Sequence, residues 1–351
     1  MSKDKLNKLL ENNKLLKLFS GVVLIKKNDE TLFSFEGGYA NRSWKVPNTI
    51  QTRFRIASVS KMFTAVAIAQ LVEKGLLDFN TKILDILELK STDISKEVTI
   101  HHLLTHTSGI ADYYEESTGD EGWEKLWRKR PIYNVRTLND YLELFIDKKR
   151  VSEAGTQFKY NNAGYILLGL ALEKVTENNY FDYVKSNIFN EIDMNDSYFM
   201  SLDEVYENVA EGYEEINGKW MRNIYTTTPT AASDGGATST VEDLIKFIQA
   251  LREDKLINEE MTKKMLTPYV IDEESNGFRG YVWKYGYANY YLLDKDENIV
   301  RGGHTGEEYG VSSRLYYYPL LGIDIAILSN VGFSAGKLGW EIHDLIIKEL
   351  L

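Results

Sequence analysis

The sequence feature that most constrains the fold is a helical segment that is apolar on nearly every face. Between Ser60 and Leu77, apolar residues follow one another with little polar interruption: Met62, Phe63, Ala65, Val66, Ala67, Ile68, Ala69, Leu71 and Val72. A helix without a polar side must be covered on every face. We therefore predict a buried helix that ends near Gly75, because glycine often terminates helices, with other layers packed around it.

Short strands are predicted on both sides of this helix along the chain. Two apolar segments at residues 21–27 and 32–35 flank the polar Asn28-Asp29 and predict a β-hairpin. Near the other end, four segments rich in β-branched and aromatic residues predict further strands, at residues 281–285, 290–293, 311–318 and 323–328. Strands at the two ends of a chain usually share one sheet when helices separate them, so the pattern predicts an α/β fold.

The middle of the chain, at about residues 78–180, has helical patterns and no convincing strand. Helices are predicted at residues 139–148, 163–175, 241–251 and 338–351, the third with Ser239 or Thr240 as its N-cap. We predict an α/β sheet domain formed by residues 1–77 and 231–351. It is interrupted by a mostly helical domain of residues 78–230, and the active site lies in the cleft between the two.

The composition and the first residues exclude several classes of protein. The 351 residues include 41 Lys plus Arg and 52 Asp plus Glu, a formal net charge of −11, so nucleic acid is repelled on average. There is no cysteine, which excludes disulfides, thiolate metal sites and cysteine nucleophiles. Residues 1–20 have no apolar signal-peptide core. The sequence predicts a cytoplasmic protein without a membrane span, or an extracytoplasmic one if a signal peptide has been trimmed away.

The first twenty residues also predict a helix of their own. The leucines in this segment fall at helical spacing, which is typical of an amphipathic helix that packs on a domain; they are Leu6, Leu9, Leu10 and Leu16. No internal repeat and no low-complexity linker interrupts the chain after this segment.

Ser58 and Lys61 form a Ser-x-x-Lys pattern at the start of the predicted buried helix. Backbone N–H groups and the positive end of the helix dipole favour negative charge that develops on a serine placed there. A lysine three residues later lies on the same helix face and could accept the serine proton. The pattern recurs at Ser2 and Ser334, where a structural role is favoured, and only Ser58 opens a helix that must be buried.

Tyr160 and Asn162 directly precede the helix predicted at residues 163–175. A tyrosine there could share a proton with Lys61, and the asparagine could donate a hydrogen bond to a substrate carbonyl. Tyr-x-Asn is a common pattern, however, and recurs at Tyr39, at Tyr206 and at Tyr287. On its own it is explained more simply by aromatic packing and by Asn162 as a helix N-cap.

Histidines occur in two segments that invite a functional interpretation. His304-Thr305-Gly306 follows two glycines and precedes the strand predicted at 311–318, so it could line a groove for an extended ligand or form a plain turn. His102 and His106 are four residues apart, next to His101, and could present two imidazoles on one helix face to a metal. The run HLLTH lacks the glutamate of the metalloprotease pattern, so a structural role at a helix end is favoured.

Taken in order, Ser58-x-x-Lys61, Tyr160-x-Asn162 and His304-Thr305-Gly306 resemble the motifs of the serine β-lactamase and penicillin-recognising superfamily. The branch that they resemble most contains class C β-lactamases, D-alanyl-D-alanine carboxypeptidases and related esterases. Four longer segments also look like family sequence: FRIASVSKMFTA (54–65), TIHHLLTHTSGI (99–110), SDGGATSTVEDLIKF (233–247) and GGHTGEEYGVSS (302–313). The resemblance extends from about Gly21 to the end, and it implies an antiparallel sheet flanked by helices with an inserted helical domain.

The resemblance also implies a role for each motif residue. Ser58 would be the nucleophile, and Lys61 and Tyr160 would share the task of general base. Asn162, His304, Thr305 and Gly306 would bind substrate, and the backbone N–H groups of Ser58 and Glu307 would form the oxyanion hole. Many β-lactamases have Lys-Thr-Gly in place of His304-Thr305-Gly306. Histidine is mostly neutral at pH 7, so we expect His304 to set the substrate charge preference and carboxylate recognition to be weak.

These expectations predict a serine hydrolase that acts through an acyl-enzyme on an ester or small amide, with a D-amino-acid or β-lactam-like centre as one option for the substrate. Two alternatives remain open: a true β-lactamase or D,D-carboxypeptidase, and a penicillin-binding sensor module that does not turn over. We expect a small-molecule ester, amide or β-lactam as the partner, and no cofactor, metal or nucleic acid. The sequence leaves the substrate and the oligomeric state undetermined.

Overall fold

The computed structural model describes residues 5, 6, 8, 19–115, 118–128 and 130–350. Its strands, in chain order, are β1 (Gly21–Lys27), β2 (Glu30–Gly37), β3 (Tyr39–Asn41), β4 (Val46–Pro47), β5 (Phe54–Arg55), β6 (Tyr213–Ile216), β7 (Lys219–Arg222), β8 (Thr238–Ser239), β9 (Val270–Ile271), β10 (Val282–Tyr285), β11 (Tyr290–Leu293), β12 (Ile299–Glu308), β13 (Val311–Tyr318) and β14 (Ile323–Ser329).

Eight of these strands form one antiparallel sheet, in the order β2-β1-β14-β13-β12-β11-β10-β9. The N-terminal hairpin joins the C-terminal strands through β1 and β14, which pair from Gly21 opposite Ser329 to Lys27 opposite Ile323. The remaining strands form three short pairs, β3 with β4, β5 with β8 and β6 with β7. The predicted antiparallel sheet, shared by both ends of the chain, is confirmed.

Helices cover both faces of this sheet. The α-helices in the described residues are α1 (Lys61–Glu73), α2 (Ile83–Leu87), α3 (Ile100–Leu104), α4 (Gly119–Trp127), α5 (Leu138–Leu142), α6 (Asn162–Thr176), α7 (Tyr180–Val184), α8 (Val241–Arg252), α9 (Glu259–Met265) and α10 (Ser334–Leu350). Alternate residues of β1 point to opposite faces. Val22 and Leu24 belong to the larger core with α1, α6 and α8, whereas Val23 and Ile25 pack under α10.

The buried helix is confirmed as α1, in which all residues from Lys61 to Leu71 are buried. It begins at Lys61, one residue later than predicted, and ends at Glu73 before Gly75. The helix α6 and the N-cap Thr240, which accepts the Asp243 N–H, also agree with the prediction. The helix predicted at 139–148 is wrong beyond Leu142, where the chain continues as turns.

The sequence interpretation missed the short strands β3 to β9 and also β12, which matters most for the site. His304-Thr305-Gly306 lies inside β12 and not in a segment that precedes a strand. Glycine is depleted in strands, and Gly302, Gly303 and Gly306 gave this segment the appearance of a turn. Its position between β11 and β13 places the motif at the centre of the sheet, where it can face the start of α1.

Two predictions are not decided by the fold. Three of the four leucines of the predicted N-terminal amphipathic helix, Leu9, Leu10 and Leu16, lie outside the described residues, while Leu6 is buried against α10. The division into a sheet domain (1–77 and 231–351) and a helical domain (78–230) stays a prediction.

Candidate active site

Ser58 lies in a tight turn that leads into α1. The 3₁₀ turn Ala57–Ser60 runs directly into Lys61, and Ala57 adopts a left-handed backbone with a φ of 45°. A residue with a Cβ atom rarely holds this conformation unless its surroundings impose it. Here the Ser60 hydroxyl donates to the Ala57 carbonyl at 2.7 Å and accepts the Ala237 N–H at 3.0 Å. These two bonds fix the turn and place Ser58 at the N-terminal end of the buried helix.

Lys61 is fully buried beside the Ser58 hydroxyl. Its Nζ lies 3.1 Å from Ser58 Oγ, 2.7 Å from Asn162 Oδ1 and 2.6 Å from the carbonyl oxygen of Asp234. A buried amine requires such acceptors, because it has lost its contacts with water. The structure thus brings together three of the predicted site residues, of which Lys61 and Asn162 lie 101 residues apart in sequence.

The start of α6 holds Asn162 in place through two other residues. The carboxylate of Asp112 accepts the Asn162 N–H at 2.6 Å and the Ala163 N–H at 3.1 Å. The helix N-cap is Asn161, whose side chain accepts the Gly164 N–H, so Asn162 is the first helical residue. Its side chain therefore reaches Lys61 and does not cap the helix. The sequence analysis did not identify Asp112, and its function as an anchor was missed.

Tyr160 lies beside Lys61 at the same cavity. The centre of its ring is 5.0 Å from Lys61 Nζ, and it stacks on the ring of Tyr290 with 6.4 Å between centroids. The ring of His106 packs on it at 4.4 Å. These contacts place the tyrosine next to the lysine with which it was predicted to share a proton.

The strand β12 forms the opposite wall, and a glycine allows its close approach to Ser58. A Cβ atom at Gly306 would lie 2.2 Å from the Ile56 carbonyl oxygen and 3.0 Å from the backbone nitrogen of Ser58. Real Cβ atoms essentially never come within 3.0 Å of another heavy atom. The absence of a side chain at Gly306 therefore allows β12 to pack against the turn that carries Ser58.

The backbone of β12 beyond Gly303 has one open side. The strand β11 pairs with β12 no further than Tyr290 opposite Gly303, whereas β13 continues to Val311 opposite Glu308. The hairpin between β12 and β13 has a two-residue loop, so the pair that closes it, Glu308 opposite Val311, is hydrogen-bonded. Hydrogen-bonded and non-hydrogen-bonded pairs alternate along an antiparallel ladder. The backbone groups of Thr305 and Glu307 therefore point away from β13. Both residues line the cavity that Ser58 also lines.

His304 is placed differently from our prediction. Its side chain is 0% exposed, and its Nε2 lies 3.0 Å from the Tyr285 hydroxyl and its Nδ1 2.6 Å from the Thr305 carbonyl oxygen. Burial, together with the nearby charge of Lys61, lowers the pKa of His304 to about 3. A neutral imidazole buried behind the cavity wall cannot select substrates by direct contact with their charge. His304 does not line the cavity, and its predicted role in substrate binding stays a prediction.

The cavity in front of Ser58 has a volume of about 380 Å³. The residues that line it are Ala57, Ser58, Tyr113, Tyr114, Gly119, Trp123, Tyr160, Asn162, Asp234, Gly235, Tyr290, Thr305, Glu307, Glu308, Tyr309 and Phe333. Carboxylates are the charged groups among these described lining residues, which include no Lys or Arg. Glu307 forms an ion pair with Arg314, and Glu308 forms one with Arg55. Two of the cavity carboxylates are therefore paired with arginines that do not line the cavity.

Asp234 is the third carboxylate at the cavity, and it lies directly beside the lysine. Its Oδ2 accepts the Tyr113 hydroxyl at 2.5 Å, while its backbone carbonyl accepts Lys61 Nζ. Burial raises the pKa of Asp234, and the charge of Lys61 opposes that rise. The sequence interpretation included this residue only within a family-like segment and did not identify it as part of the site.

The three neighbouring histidines have separate partners. His102 Nδ1 accepts the Thr99 N–H and completes a capping box at the start of α3, as expected for a structural role at a helix end. His101 Nδ1 contacts the Tyr287 hydroxyl, and His106 Nε2 contacts the Tyr285 hydroxyl. Within the described ranges, no group of three or more His, Asp and Glu side chains is arranged to hold a metal ion.

Comparison with known proteins identifies the family. The family model described as Beta-lactamase matches residues 14–343, which is nearly the whole chain. The chain belongs to the beta-lactamase family. This confirms the resemblance drawn from the three motifs, and the family is one of serine hydrolases that also contains penicillin-binding proteins.

Individual relatives agree with this assignment. Penicillin-binding protein 4* of Bacillus subtilis is 28% identical over 314 residues, which are 86% of this chain and 65% of the relative. A crystal structure of a penicillin-binding protein from Bacillus halodurans is 37% identical with a TM-score of 0.88, covering 97% of this chain and 99% of that one. The structure of an octameric penicillin-binding protein homologue from Pyrococcus abyssi is 28% identical with a TM-score of 0.81, covering 95% and 74%.

The comparisons also show that the chain is shorter than its curated relatives, since it spans slightly less than two thirds of their length. No helix in the described part of the chain is both long and apolar enough to cross a membrane.

Proposed function

We propose that this member of the beta-lactamase family is a serine hydrolase that forms an acyl-enzyme on Ser58 with an ester or small amide. The observation that carries the proposal is the contact of 3.1 Å between Ser58 Oγ and the Nζ of a fully buried lysine, at the edge of a cavity. A serine becomes a strong nucleophile when an adjacent base takes its proton.

The surroundings of Lys61 suit the function of that base. A neutral amine has two N–H groups and one lone pair. The N–H groups match the carbonyl oxygens of Asn162 and Asp234, at 2.7 and 2.6 Å, and the lone pair then matches the Ser58 hydroxyl. Ser58 Oγ attacks the substrate carbonyl as its proton moves to Lys61. Tyr160, whose ring lies beside the amine, shares this proton and passes it to the leaving group.

The negative charge that develops on the substrate oxygen would be held by the backbone N–H groups of Ser58 and Glu307. Gly306 supports this arrangement, because it lets the two backbone segments approach each other. Each such donor typically contributes about 10²–10³-fold to the rate. Asn162, held by Asp112, would contact the acyl group, and Thr305 on the open edge of β12 would pair with an extended substrate. Water would then release the acyl group with the same Lys61 and Tyr160 pair as base.

The charge of the cavity favours neutral or cationic substrates. Asp234, Glu307 and Glu308 line it, while no Lys or Arg occurs among the described lining residues. Although Arg314 and Arg55 pair with two of these carboxylates, a substrate carboxylate would meet only negatively charged groups, and no cation, among the described lining residues. A second candidate function, hydrolysis or stable binding of β-lactams as in a β-lactamase, a D,D-carboxypeptidase or a sensor, is favoured by the name of the relative penicillin-binding protein 4*. The cytoplasmic location also stays a proposal.

Intact-mass spectrometry after exposure to p-nitrophenyl esters, penicillins and cephalosporins tests the proposal. We expect esters to be turned over and a transient adduct to form on Ser58. The variant Ser58→Ala should lose both. Ser334→Ala is the matched control, because Ser334 and Lys337 have the same spacing elsewhere in the chain. A penicillin adduct that persists without ester turnover would favour the sensor, and the absence of any adduct and any turnover would refute the proposed chemistry.

A further inference from the structure

A chain of buried hydrogen bonds crosses the protein behind the active-site cavity. The N–H of Asn161 donates to His106 Nδ1 at 3.2 Å, and His106 Nε2 lies 3.1 Å from the Tyr285 hydroxyl. The same hydroxyl lies 3.0 Å from His304 Nε2, and His304 Nδ1 lies 2.6 Å from the Thr305 carbonyl. His106 is 1% exposed and Tyr285 and His304 are 0% exposed. We name this set the His106–Tyr285–His304 relay.

The two ends of the relay fix its direction independently. A backbone N–H can only donate, so His106 Nδ1 must accept, and a neutral His106 then carries its proton on Nε2. A carbonyl oxygen can only accept, so His304 must carry its proton on Nδ1, and a neutral His304 then accepts at Nε2. The Tyr285 hydroxyl satisfies both histidines in one orientation, in which it accepts from His106 and donates to His304. The Tyr165 hydroxyl, which itself donates to the Leu104 carbonyl, is a further hydrogen-bonding neighbour of the Tyr285 hydroxyl.

The relay connects the two walls of the cavity. One end is the backbone of Asn161, which caps α6 next to the Lys61 contact Asn162. The other end is the Thr305 carbonyl, on the part of β12 that β11 no longer covers. On this uncovered edge the backbone groups of β12 have no neighbouring strand to fix their position. The hydrogen bond from His304 to the Thr305 carbonyl fixes the position of this edge. Thr305 lies two residues before Glu307, whose N–H is a proposed oxyanion donor.

We propose that Tyr285 is a positioning residue for acylation, which through His106 and His304 holds the open edge of β12 at a fixed distance from Asn162 and Ser58. This inference rests on the proposed function, because the edge that it positions is the proposed oxyanion and substrate wall. Tyr285 does not touch the cavity and takes no part in the proton transfer itself.

The first test measures the direction of the relay without any activity assay. Long-range ¹H–¹⁵N correlation spectra of the imidazole rings distinguish the two neutral tautomers of each histidine in the full-length protein. We expect His106 to carry its proton on Nε2 and His304 to carry its proton on Nδ1 at pH 7. The opposite tautomer at either ring, or a protonated ring, would overturn the relay.

The second test compares two matched tyrosine variants. Tyr285→Phe removes the hydroxyl of the relay, and Tyr318→Phe removes an equally buried hydroxyl that contacts His343 Nδ1 at 3.0 Å beneath α10. Both variants should lower the melting temperature to a similar extent. We expect Tyr285→Phe to lower kcat for a p-nitrophenyl ester about tenfold with KM within twofold, because the wall is displaced in the transition state, and Tyr318→Phe to leave both constants within twofold.

The outcomes separate this inference from the proposed function. If the wild type hydrolyses the ester and both tyrosine variants retain the same kcat, the positioning function is refuted while the hydrolase proposal stands. If the wild type neither hydrolyses esters nor forms an adduct, the hydrolase proposal fails, and the positioning function fails with it even if the tautomers are as expected. If Tyr285→Phe does not fold, the wild-type tautomers still decide whether the relay exists.

Discussion

Replacing Gly306 by alanine tests whether the close approach of β12 to Ser58 matters for activity. The new Cβ atom would lie 2.2 Å from the Ile56 carbonyl oxygen and 2.4 Å from Ser313 Oγ. Carbon and carbonyl oxygen atoms rarely come closer than about 3.3 Å, so the strand and the turn must separate by about 1 Å. The Ser313 hydroxyl can rotate, but the carbonyl of Ile56 belongs to the backbone before Ser58 and can retreat only by moving the turn.

A displacement of this size at a catalytic wall can cost about 10²-fold in rate, which corresponds to about 2.7 kcal/mol in the activation free energy. We therefore expect Gly306→Ala to lower kcat/KM for p-nitrophenyl acetate about a hundredfold. The control is Gly339→Ala in α10, where the added Cβ would meet its neighbours at an ordinary 3.6 Å. If Gly306→Ala retains kcat/KM within threefold of the wild type and unfolds at the same temperature, the close approach does not define the site.

Three further predictions follow from the same geometry. Lys61→Ala and Tyr160→Phe should each slow acylation about a hundredfold or more in stopped-flow assays. Because the two groups share one proton, the double variant should lose much less than the product of the two single rate losses. A Tyr160→Phe rate within threefold of the wild type would assign the tyrosine to packing. His304 and His343 both have pKa values lowered to about 3 by burial, so the unfolded chain binds more protons than the native one below pH 6.5. The free energy of unfolding should therefore fall as the pH is lowered from 6.5 to 5, by up to about 1.4 kcal/mol per pH unit for each histidine, and urea titrations that show a constant midpoint over this range would contradict it. Esters with an ammonium group should have at least tenfold higher kcat/KM than matched esters with a carboxylate, and the ratio should shrink in 0.5 M salt; an inverted ratio would refute the charge argument.

The part of the site that the sequence predicted is the part encoded by local patterns. Ser58 and Lys61 are one helical turn apart at the head of a helix whose apolar residues required burial, so their contact follows from the periodicity alone. Asn162 was placed by the family motif and not by spacing. The sheet was predictable because β1, β13 and β14 have the dense β-branched and aromatic composition of strands, whereas its antiparallel order was implied by the family resemblance.

The residues that were missed depend on contacts between distant segments. Asp112 reaches Asn162 across 50 residues, and His106 reaches Tyr285 across 179. Neither pair has a local pattern, since a carboxylate in a loop and an aromatic residue in a strand have ordinary structural explanations. The strand β12 was missed for another reason. Its glycines reduce the strand propensity of the segment, but Gly306 lets the strand pass close to Ser58.

His304 shows why a residue type at a motif position does not fix its chemistry. In many β-lactamases a lysine occupies this position and offers a charge to the substrate. Here the side chain is turned away from the cavity, bonded to Tyr285 and to the Thr305 carbonyl, and has a pKa of about 3. A lysine could not reproduce this, because its amine carries a charge and has no acceptor for the Tyr285 hydroxyl. The groups that face the cavity must then select the charge of the substrate. Asp234 accepts a hydrogen bond from the neutral Tyr113 hydroxyl, whereas Glu307 and Glu308 form ion pairs with arginines.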